Sequence, residues 1–175
     1  MNISILDAMK DEELFGTTFK RRLLGGDTWA SWRVFLAALF GLSMDVEARE
    51  IYTKHTARTD TPTHQFREAF VIAGRRSGKS LIAALVAVFL ACFRDYDRVL
   101  APGEVGTLMI LAADRRQARV IFSYVNALLS TPLLVPMVLT RLKESIELNN
   151  RIRIEVHTRL VQGGTRLYAY RSDSR

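Results

Sequence analysis

The stretch AFVIAGRRSGKSLIAALVAVFLACF, residues 69–93, carries the strongest structural signal in the chain. A short apolar run over 69–73 is followed by a glycine-bearing turn over 74–80 and by an apolar stretch over 81–93. This order predicts a buried strand, a turn and a buried helix. Such a succession can bind phosphate, because the turn aims backbone N–H groups inward and the helix N-terminus adds positive potential.

The turn contains the residue types that hold a nucleoside triphosphate. Gly78 lets the backbone approach a phosphate without a Cβ, Lys79 would reach the β- and γ-phosphates, and the Ser80 hydroxyl would ligate Mg²⁺. The pattern departs from G-x-x-x-x-G-K-[ST], because Ala73 stands at its first position and Gly74 follows. An ordinary glycine turn is the alternative. We expect binding of a nucleotide with Mg²⁺.

Two pairs of residues have two interpretations each. Arg75 or Arg76 could neutralise charge on the γ-phosphate, or could face solvent or pair with a carboxylate. Trp29 and Trp32 could form an adenine-stacking platform, although their helical spacing favours a core position. The candidate nucleotide-binding residues are Trp29, Trp32, Ala73, Gly74, Arg75, Arg76, Ser77, Gly78, Lys79 and Ser80.

Towards the C-terminus, a second apolar run over 107–111 predicts another buried strand. Asp114 can cap the following helix. Apolar and polar residues then alternate on both sides of Asn149-Asn150, which predicts a two-residue hairpin turn because asparagine tolerates positive φ. Alternating strands and helices predict an α/β fold with a largely parallel sheet, as in the core of a P-loop NTPase.

Towards the N-terminus, the pattern is helical. A short helix over 4–15 is expected to end at Gly16, and a periodic helix capped by Asp27 or Thr28 is expected to stop at Gly41. A further helix over 44–54 leads into a polar loop over 55–65. We therefore divide the chain into a helical N-terminal segment (1–60), an incomplete P-loop core (61–158) and a divergent or out-of-frame tail (159–175).

The composition fits an ordinary globular protein. Of 175 residues, 49% are hydrophobic and 25% are charged, which excludes wholesale disorder, collagen and coiled coil. The longest apolar run is shorter than a membrane helix, and the acidic N-terminus does not resemble a signal peptide. With the single cysteine Cys92 and no zinc-ligand spacing, the chain is expected in the cytoplasm, with no membrane partner.

The net charge of +7 is unevenly distributed. Residues 1–60 hold eight basic and nine acidic side chains, whereas residues 61–175 hold seventeen basic and nine acidic ones. A polyanionic partner, such as nucleic acid or nucleotide phosphate, would explain this excess. A solvated surface in an arginine-rich protein explains it equally well.

Several ordered segments together resemble the large subunit of tailed-bacteriophage terminases. They are DTWASWRVFLAALFGLSM (27–44), IYTKHTAR (51–58), FREAFVIAGRRSGKS (66–80), GTLMILAADRRQARVIFSYVNALL (106–129) and SIELNNRIRIEVHT (145–158). The resemblance covers roughly residues 5–158. Alanine at the first loop position and arginine inside the loop also resemble the variant Walker A motif of that family.

The resemblance implies an ATP-driven motor of a bacteriophage or prophage. Such motors work in the bacterial cytoplasm as a ring of large subunits on the portal protein and drive double-stranded DNA into a procapsid. A small terminase subunit selects the DNA. By position, Lys79 and Arg75 would be the catalytic residues of the Walker A loop, with Arg75 acting on the γ-phosphate. The helix around Trp29 and Trp32 would help to seat the adenine.

One part of the family pattern is missing. After EVHT (155–158) the family continues into an apolar strand ending in Asp-Glu, the Walker B pair, whereas this sequence reads RLVQGGTRLYAYRSDSR. The nearest acids are Glu147, Glu155 and Asp173. We therefore expect a truncated copy, without Walker B and nuclease domain, that binds ATP and hydrolyses it near background. The tail is either out of frame or naturally divergent. The alternatives are a non-enzymatic remnant that binds motor subunits or DNA, and a P-loop protein of another class.

Overall fold

The computed structural model describes residues 3–20 and 27–158. Helices come first along the chain, and a four-stranded sheet forms later. The helices are α1 (Ile5–Lys10), α2 (Gly16–Phe19), α3 (Ala30–Phe40), α4 (Val46–Thr56), α5 (Lys79–Phe93) and α6 (Arg115–Leu128). The strands are β1 (Gly106–Ala112), β2 (Val138–Arg141), β3 (Ser145–Leu148) and β4 (Ile152–Thr158), with a 3₁₀ turn over Val135–Met137 before β2. The predicted tail over 159–175 lies outside the described residues.

The sheet is mixed, with strand order β1-β4-β3-β2. Strands β1 and β4 are parallel, from Gly106 opposite Ile152 to Ala112 opposite Thr158. The pairs β3–β4 and β2–β3 are antiparallel. The α/β class is confirmed, but the prediction of a largely parallel sheet is wrong for the described strands. The connections between β2, β3 and β4 are only three residues long, and connections this short can join only antiparallel neighbours.

The core lies between one face of the sheet and helices α5 and α6. Ile146 and Ile154 from the sheet, Leu85 and Val88 from α5, and Val125 from α6 are completely buried there. The same apolar cluster includes residues of α1, α2 and α3, so the N-terminal helices share this core. No helix in the described part of the chain is both long and apolar enough to span a bilayer.

Local signals placed some helix ends correctly, but the predicted cap of α3 at Asp27 or Thr28 is wrong, because its N-cap is Trp29 without a capping side chain. Helix α3 stops at Gly41, which is left-handed with φ of 65°, and the Asp114 carboxylate accepts a hydrogen bond from the Gln117 N–H at 2.8 Å to cap α6. The first helix is shorter than predicted and ends at Lys10, so that Gly16 begins α2. The reason is Asp11, whose carboxylate accepts hydrogen bonds from the next backbone N–H groups and forms a turn there.

The predicted strand over 69–73 is not formed. The side chain of Phe70 is 96% exposed and that of Ile72 is fully exposed. No strand of the described sheet lies beside this segment, so its backbone has no ladder to join. The described residues therefore contain the turn and helix α5 of the expected P-loop core without its strand.

The hairpin between β3 and β4 also differs in detail from the prediction. Its loop has three residues, 149–151, and the residue with positive φ is Arg151 at 64°, not either asparagine. A three-residue hairpin loop needs a left-handed residue at its third position. The contacts of the Arg151 side chain offset the strain of its positive φ, because it pairs with Asp97 at 2.6 Å and donates a hydrogen bond to the Ala101 carbonyl at 3.2 Å.

Candidate functional site

The turn over 74–78 leads directly into helix α5. Gly78 is the N-cap of this helix, in the left-handed region with φ of 86°, and supplies no capping side chain. The first N–H groups of any helix have no partner within the helix, so this end of α5 can donate to an anion. A Cβ at Gly78 would lie 2.9 Å from Cζ3 of Trp29. Glycine is therefore required at this position by both the backbone and the neighbouring ring.

Both tryptophans of the N-terminal segment reach the turn. The indole Nε1 of Trp32 donates a hydrogen bond to the Ser77 carbonyl at 2.6 Å, and the ring of Trp29 lies against Gly78. Trp29 also packs edge-on against Phe19, with ring centroids 5.0 Å apart. Both indoles pack partly buried against the main core. The structure thus brings residues 45 positions apart into one constellation, in which the two tryptophans are core residues as well as neighbours of the loop.

The cationic residues of the turn are on its surface. Arg75, Arg76 and Lys79 are exposed, and the Lys79 ammonium donates to the Gly74 carbonyl at 3.3 Å. Arg76 is left-handed with φ of 61°. Within residues 3–20 and 27–158, none of these three forms an ion pair with a carboxylate, so all three positive charges are available to an anion at the turn.

A cavity of about 470 Å³ adjoins the turn. It lies between helices α3 and α4 and the segment 70–77, and both Ala73 and Ser77 line it. Its wall is largely apolar, with the aromatic rings of Trp32 on α3 and Tyr52 on α4, and His55 adds a polar group. Cavities of this size and composition are typical of small-molecule sites.

Tyr52 and His55 were not among the sequence candidates. They lie three positions apart on α4, which places them on one face of that helix. This spacing was readable in the segment IYTKHTAR. The sequence contained no sign that this face of α4 would lie opposite α3 and the turn, because that is a tertiary contact.

Two buried polar atoms at the turn lack partners. The hydroxyl of Ser77 and the Nε1 of Trp29 form no hydrogen bond with any described residue. A buried polar group without a partner costs about 1–3 kcal/mol, and such groups are uncommon in native structures. Two further buried atoms of the described residues lack partners, Thr131 Oγ1 and Asn150 Oδ1, and both lie elsewhere in the fold.

The acidic residues offer little to a metal ion. The loop 73–80 contains no carboxylate, and Ser80, half-buried, provides one hydroxyl. The described residues contain no cluster of three or more His, Cys, Asp or Glu side chains able to hold a metal ion. A Mg²⁺ ion at Ser80 would therefore be held mainly by the phosphates of a bound nucleotide, as is common for this ion.

Glu147 and Glu155 are engaged elsewhere. Both pair with Arg153 on the face of the sheet opposite the helices, and Glu155 also lies 2.8 Å from the Nε2 of His157. The hydrogen bond from Arg153 to Glu147 raises the pKa of the guanidinium above its ordinary value. These carboxylates belong to a surface ion network. Asp173, the third acid considered, lies outside the described residues.

Comparison of this chain with models of protein families, with curated proteins and with solved structures finds no match.

Proposed function

We propose that this chain binds ATP and is the nucleotide-binding part of a terminase large subunit of a tailed bacteriophage. One observation supports the first half of the proposal: the cavity adjoins Gly78, Lys79 and Ser80, since Ser77, the residue before Gly78, lines the cavity, and its carbonyl accepts the hydrogen bond from Trp32. A purine in the cavity would have its phosphates next to the turn. The second half rests on the sequence resemblance.

The chemistry of each part suits a nucleotide. The half-buried ring of Trp32 offers an aromatic surface to a base, and the open N–H groups at the start of α5 offer donors to the phosphates. Lys79 would exchange the Gly74 carbonyl for a phosphate oxygen. Arg75, four residues before Lys79, matches the position of the arginine in the variant Walker A motif of the resembled family and is the candidate for contact with the γ-phosphate. Bound Mg²⁺ would offset the charge of the triphosphate.

We propose further that the chain alone hydrolyses ATP near background. Water attack needs a carboxylate that positions the water and the metal, and the loop has none. Glu147 and Glu155 are held by Arg153 and His157.

The partners of this chain would be those of a packaging motor, namely double-stranded DNA, the portal protein, the small terminase subunit and other large subunits.

A second candidate function is non-enzymatic. The segment containing Phe70 and Ile72 leaves apolar side chains in solvent, and exposed apolar surface commonly marks an interaction site. A remnant that only binds motor subunits would retain an intact large subunit during purification whether or not ATP is present. A nucleotide-binding subunit would bind ATP in isolation.

Substitution of Lys79 tests nucleotide binding. Lys79→Ala removes a charged hydrogen bond worth about 1.5–3 kcal/mol, so the affinity for a fluorescent ATP analogue should fall roughly tenfold to a hundredfold. Lys54→Ala removes another exposed lysine, outside the loop, and is the matched control. Fluorescence anisotropy gives both affinities. Equal affinities of the two variants would contradict the proposal.

Inorganic triphosphate tests the cavity separately. If the base occupies the cavity, ATP should bind more tightly than triphosphate alone. Trp32→Leu should remove most of that difference and should weaken triphosphate binding less than ATP binding, because it also removes the hydrogen bond to the Ser77 carbonyl. A triphosphate affinity equal to that of ATP in the unsubstituted chain would leave the cavity without a role in binding.

A further inference from the structure

A second cleft lies where the parallel strands β1 and β4 end. The β3–β4 hairpin lies at the opposite end of this strand pair. It has a volume of about 500 Å³ and is formed by the first half of α6, the connection between β2 and β3, and the end of β4. Three cationic side chains line it, Arg115, Arg119 and Lys143. Phe122 and Val156 form part of an apolar wall. No residue lines both this cleft and the cavity beside residues 73–80.

Within residues 3–20 and 27–158, the positive charges of this cleft have no carboxylate partner. Arg115, Arg119 and Lys143 are exposed, and none of them forms an ion pair in the part of the chain that the structure describes. Glu144 is the single acidic residue among those that line the cleft. Other arginines of the fold do have carboxylate partners, for example Arg151 with Asp97.

The arrangement of the two arginines is itself unfavourable. Arg115 and Arg119 are four positions apart on α6, so their side chains lie on one face of the helix and repel by about 0.2–0.5 kcal/mol. Lys143 approaches the same space from the sheet side. Three converging cations beside an apolar wall match a ligand with closely spaced negative charges and an apolar face between them.

We propose that this cleft binds the phosphodiester backbone of a nucleic-acid strand. Lysine and arginine contact successive phosphates, and the ring of Phe122 offers a surface to a sugar or a base. An isolated phosphate would need only one or two of these cations. The inference gives a surface to the DNA partner of the proposed function and rests on it for the choice of DNA. The cleft itself is argued independently of the nucleotide site.

The experiment compares two variants of equal net charge. The cleft variant carries Arg115→Gln, Arg119→Gln and Lys143→Gln. The control carries Arg58→Gln, Arg67→Gln and Arg98→Gln, three exposed cations that do not line the cleft. Binding of a fluorescein-labelled DNA duplex is followed by anisotropy over a salt series. Circular dichroism and gel filtration establish that both variants remain folded, as expected for exposed side chains.

The cleft variant should lose on the order of tenfold in affinity at low salt. Its negative slope of log K against log salt should be smaller in magnitude by about three than that of the unsubstituted chain, because three phosphate contacts are lost. The control variant should keep most of the affinity and most of the salt slope. Equal losses in the two variants, or no binding of DNA by the unsubstituted chain, would overturn the inference. Displacement of the duplex by polyglutamate as readily as by unlabelled DNA would also overturn it, since the cleft would then prefer an acidic protein.

Two further measurements separate this inference from the proposed function. Lys79→Ala should bind DNA normally, and the cleft variant should bind ATP normally. Loss of DNA binding through competition with ATP would place both ligands at the turn and overturn the inference. Failure of the unsubstituted chain to bind ATP would contradict the proposed function while leaving the comparison of the two DNA-binding variants intact.

Discussion

The runs over 69–73 and 107–111 are both mainly apolar in sequence, but their structures differ. Each is five residues long, and a turn and a helix follow each of them. The second run lies in β1, where Leu108 and Ile110 face the core and every residue has a partner in β4. The prediction that this strand is buried is right for that face only, because Met109 and Leu111 are exposed on the other face. The first run has no strand partner, and Phe70 and Ile72 are in solvent.

The difference shows that a strand depends on its neighbour more than on its own residues. Backbone hydrogen bonds of a helix are internal, so α5 forms directly after the turn in spite of the irregular segment before it. A strand has no internal bonds and acquires its stability from cross-strand pairs. The hairpin of β3 and β4 supplies β1 with a neighbour, and no described element does the same for residues 69–73.

The two ends of α5 should differ most strongly in chemical reactivity. The end next to the turn is exposed at Lys79, whereas Cys92, near the other end, is mostly buried, and burial raises the pKa of its thiol from 9.0 to about 12. At pH 8 the native thiolate fraction should be on the order of a thousandfold below that of the unfolded chain. The rate of alkylation by iodoacetamide, with and without urea, measures this ratio.

The sign of the pH effect follows from the same shift. Below pH 9 the thiol is protonated in both states and contributes no pH dependence to the free energy of unfolding. Above pH 9 the unfolded thiol ionises first, so this group makes the fold less stable as the pH rises. A native alkylation rate within a few-fold of the unfolded rate would show that this end of α5 is as open as its beginning.

A pair of isoleucine truncations compares the two apolar runs by stability. Ile154 in β4 is completely buried against β1 and β3, and Ile154→Ala should lower the free energy of unfolding by about 2–4 kcal/mol. Ile72→Ala removes the same atoms from a fully exposed side chain and should change it by less than about 0.5 kcal/mol. Urea denaturation followed by circular dichroism measures both. A large loss for Ile72→Ala would mean that residues 69–73 are packed in solution.

A pair of glycine substitutions measures how firmly the turn is held by the N-terminal helices. Gly78 and Gly103 have almost equal positive φ, 86° and 84°. A Cβ at Gly103 has no atom within 4 Å, so Gly103→Ala should cost only the left-handed strain, about 1 kcal/mol. Gly78→Ala adds the contact with the Trp29 ring and should cost about twice as much. Equal losses in thermal or urea denaturation would show that Trp29 gives way freely.

Much of the fold was readable from local patterns. Periodicity and capping residues predicted α3, α5 and α6, and the alternation on both sides of Asn149-Asn150 predicted the hairpin. Strand β2 was not predicted, because Pro136 and the short polar-apolar mixture after it suggest irregular chain. Local patterns could not reveal which apolar segments pair with a neighbouring strand, or whether the paired strands are parallel or antiparallel.

The candidate site also contains one part that local sequence patterns predicted and another part that they did not. The residues Gly78, Lys79 and Ser80 follow a recognisable spacing, and the structure places them at the start of a helix as expected. The contact of Trp32 with Ser77 joins positions 45 residues apart, and the cavity between α3 and α4 depends on how those helices pack. Neither has a local signature, so Tyr52 and His55 emerged only from the structure.

The smallest expected effect is the difference in free energy of unfolding between glycine substitutions at the two arginines with positive φ. Arg76 in the turn before α5 and Arg151 in the hairpin have φ of 61° and 64°. Glycine relieves the strain at either position by about 0.5–1 kcal/mol. Arg76 has no ion pair among the described residues, so Arg76→Gly should raise the free energy of unfolding by about that amount.

Arg151→Gly should give no net gain, because it also removes the contacts with Asp97 and the Ala101 carbonyl that join the hairpin to the segment after α5. These exposed contacts are worth a similar amount, about 0.5–1 kcal/mol. Parallel urea titrations of the two variants measure the difference. A stabilising Arg151→Gly would mean that the side chain holds nothing in solution. A destabilising Arg76→Gly would mean that Arg76 already has a partner, and the turn before α5 would then resemble the ordered hairpin more than the irregular segment that precedes it.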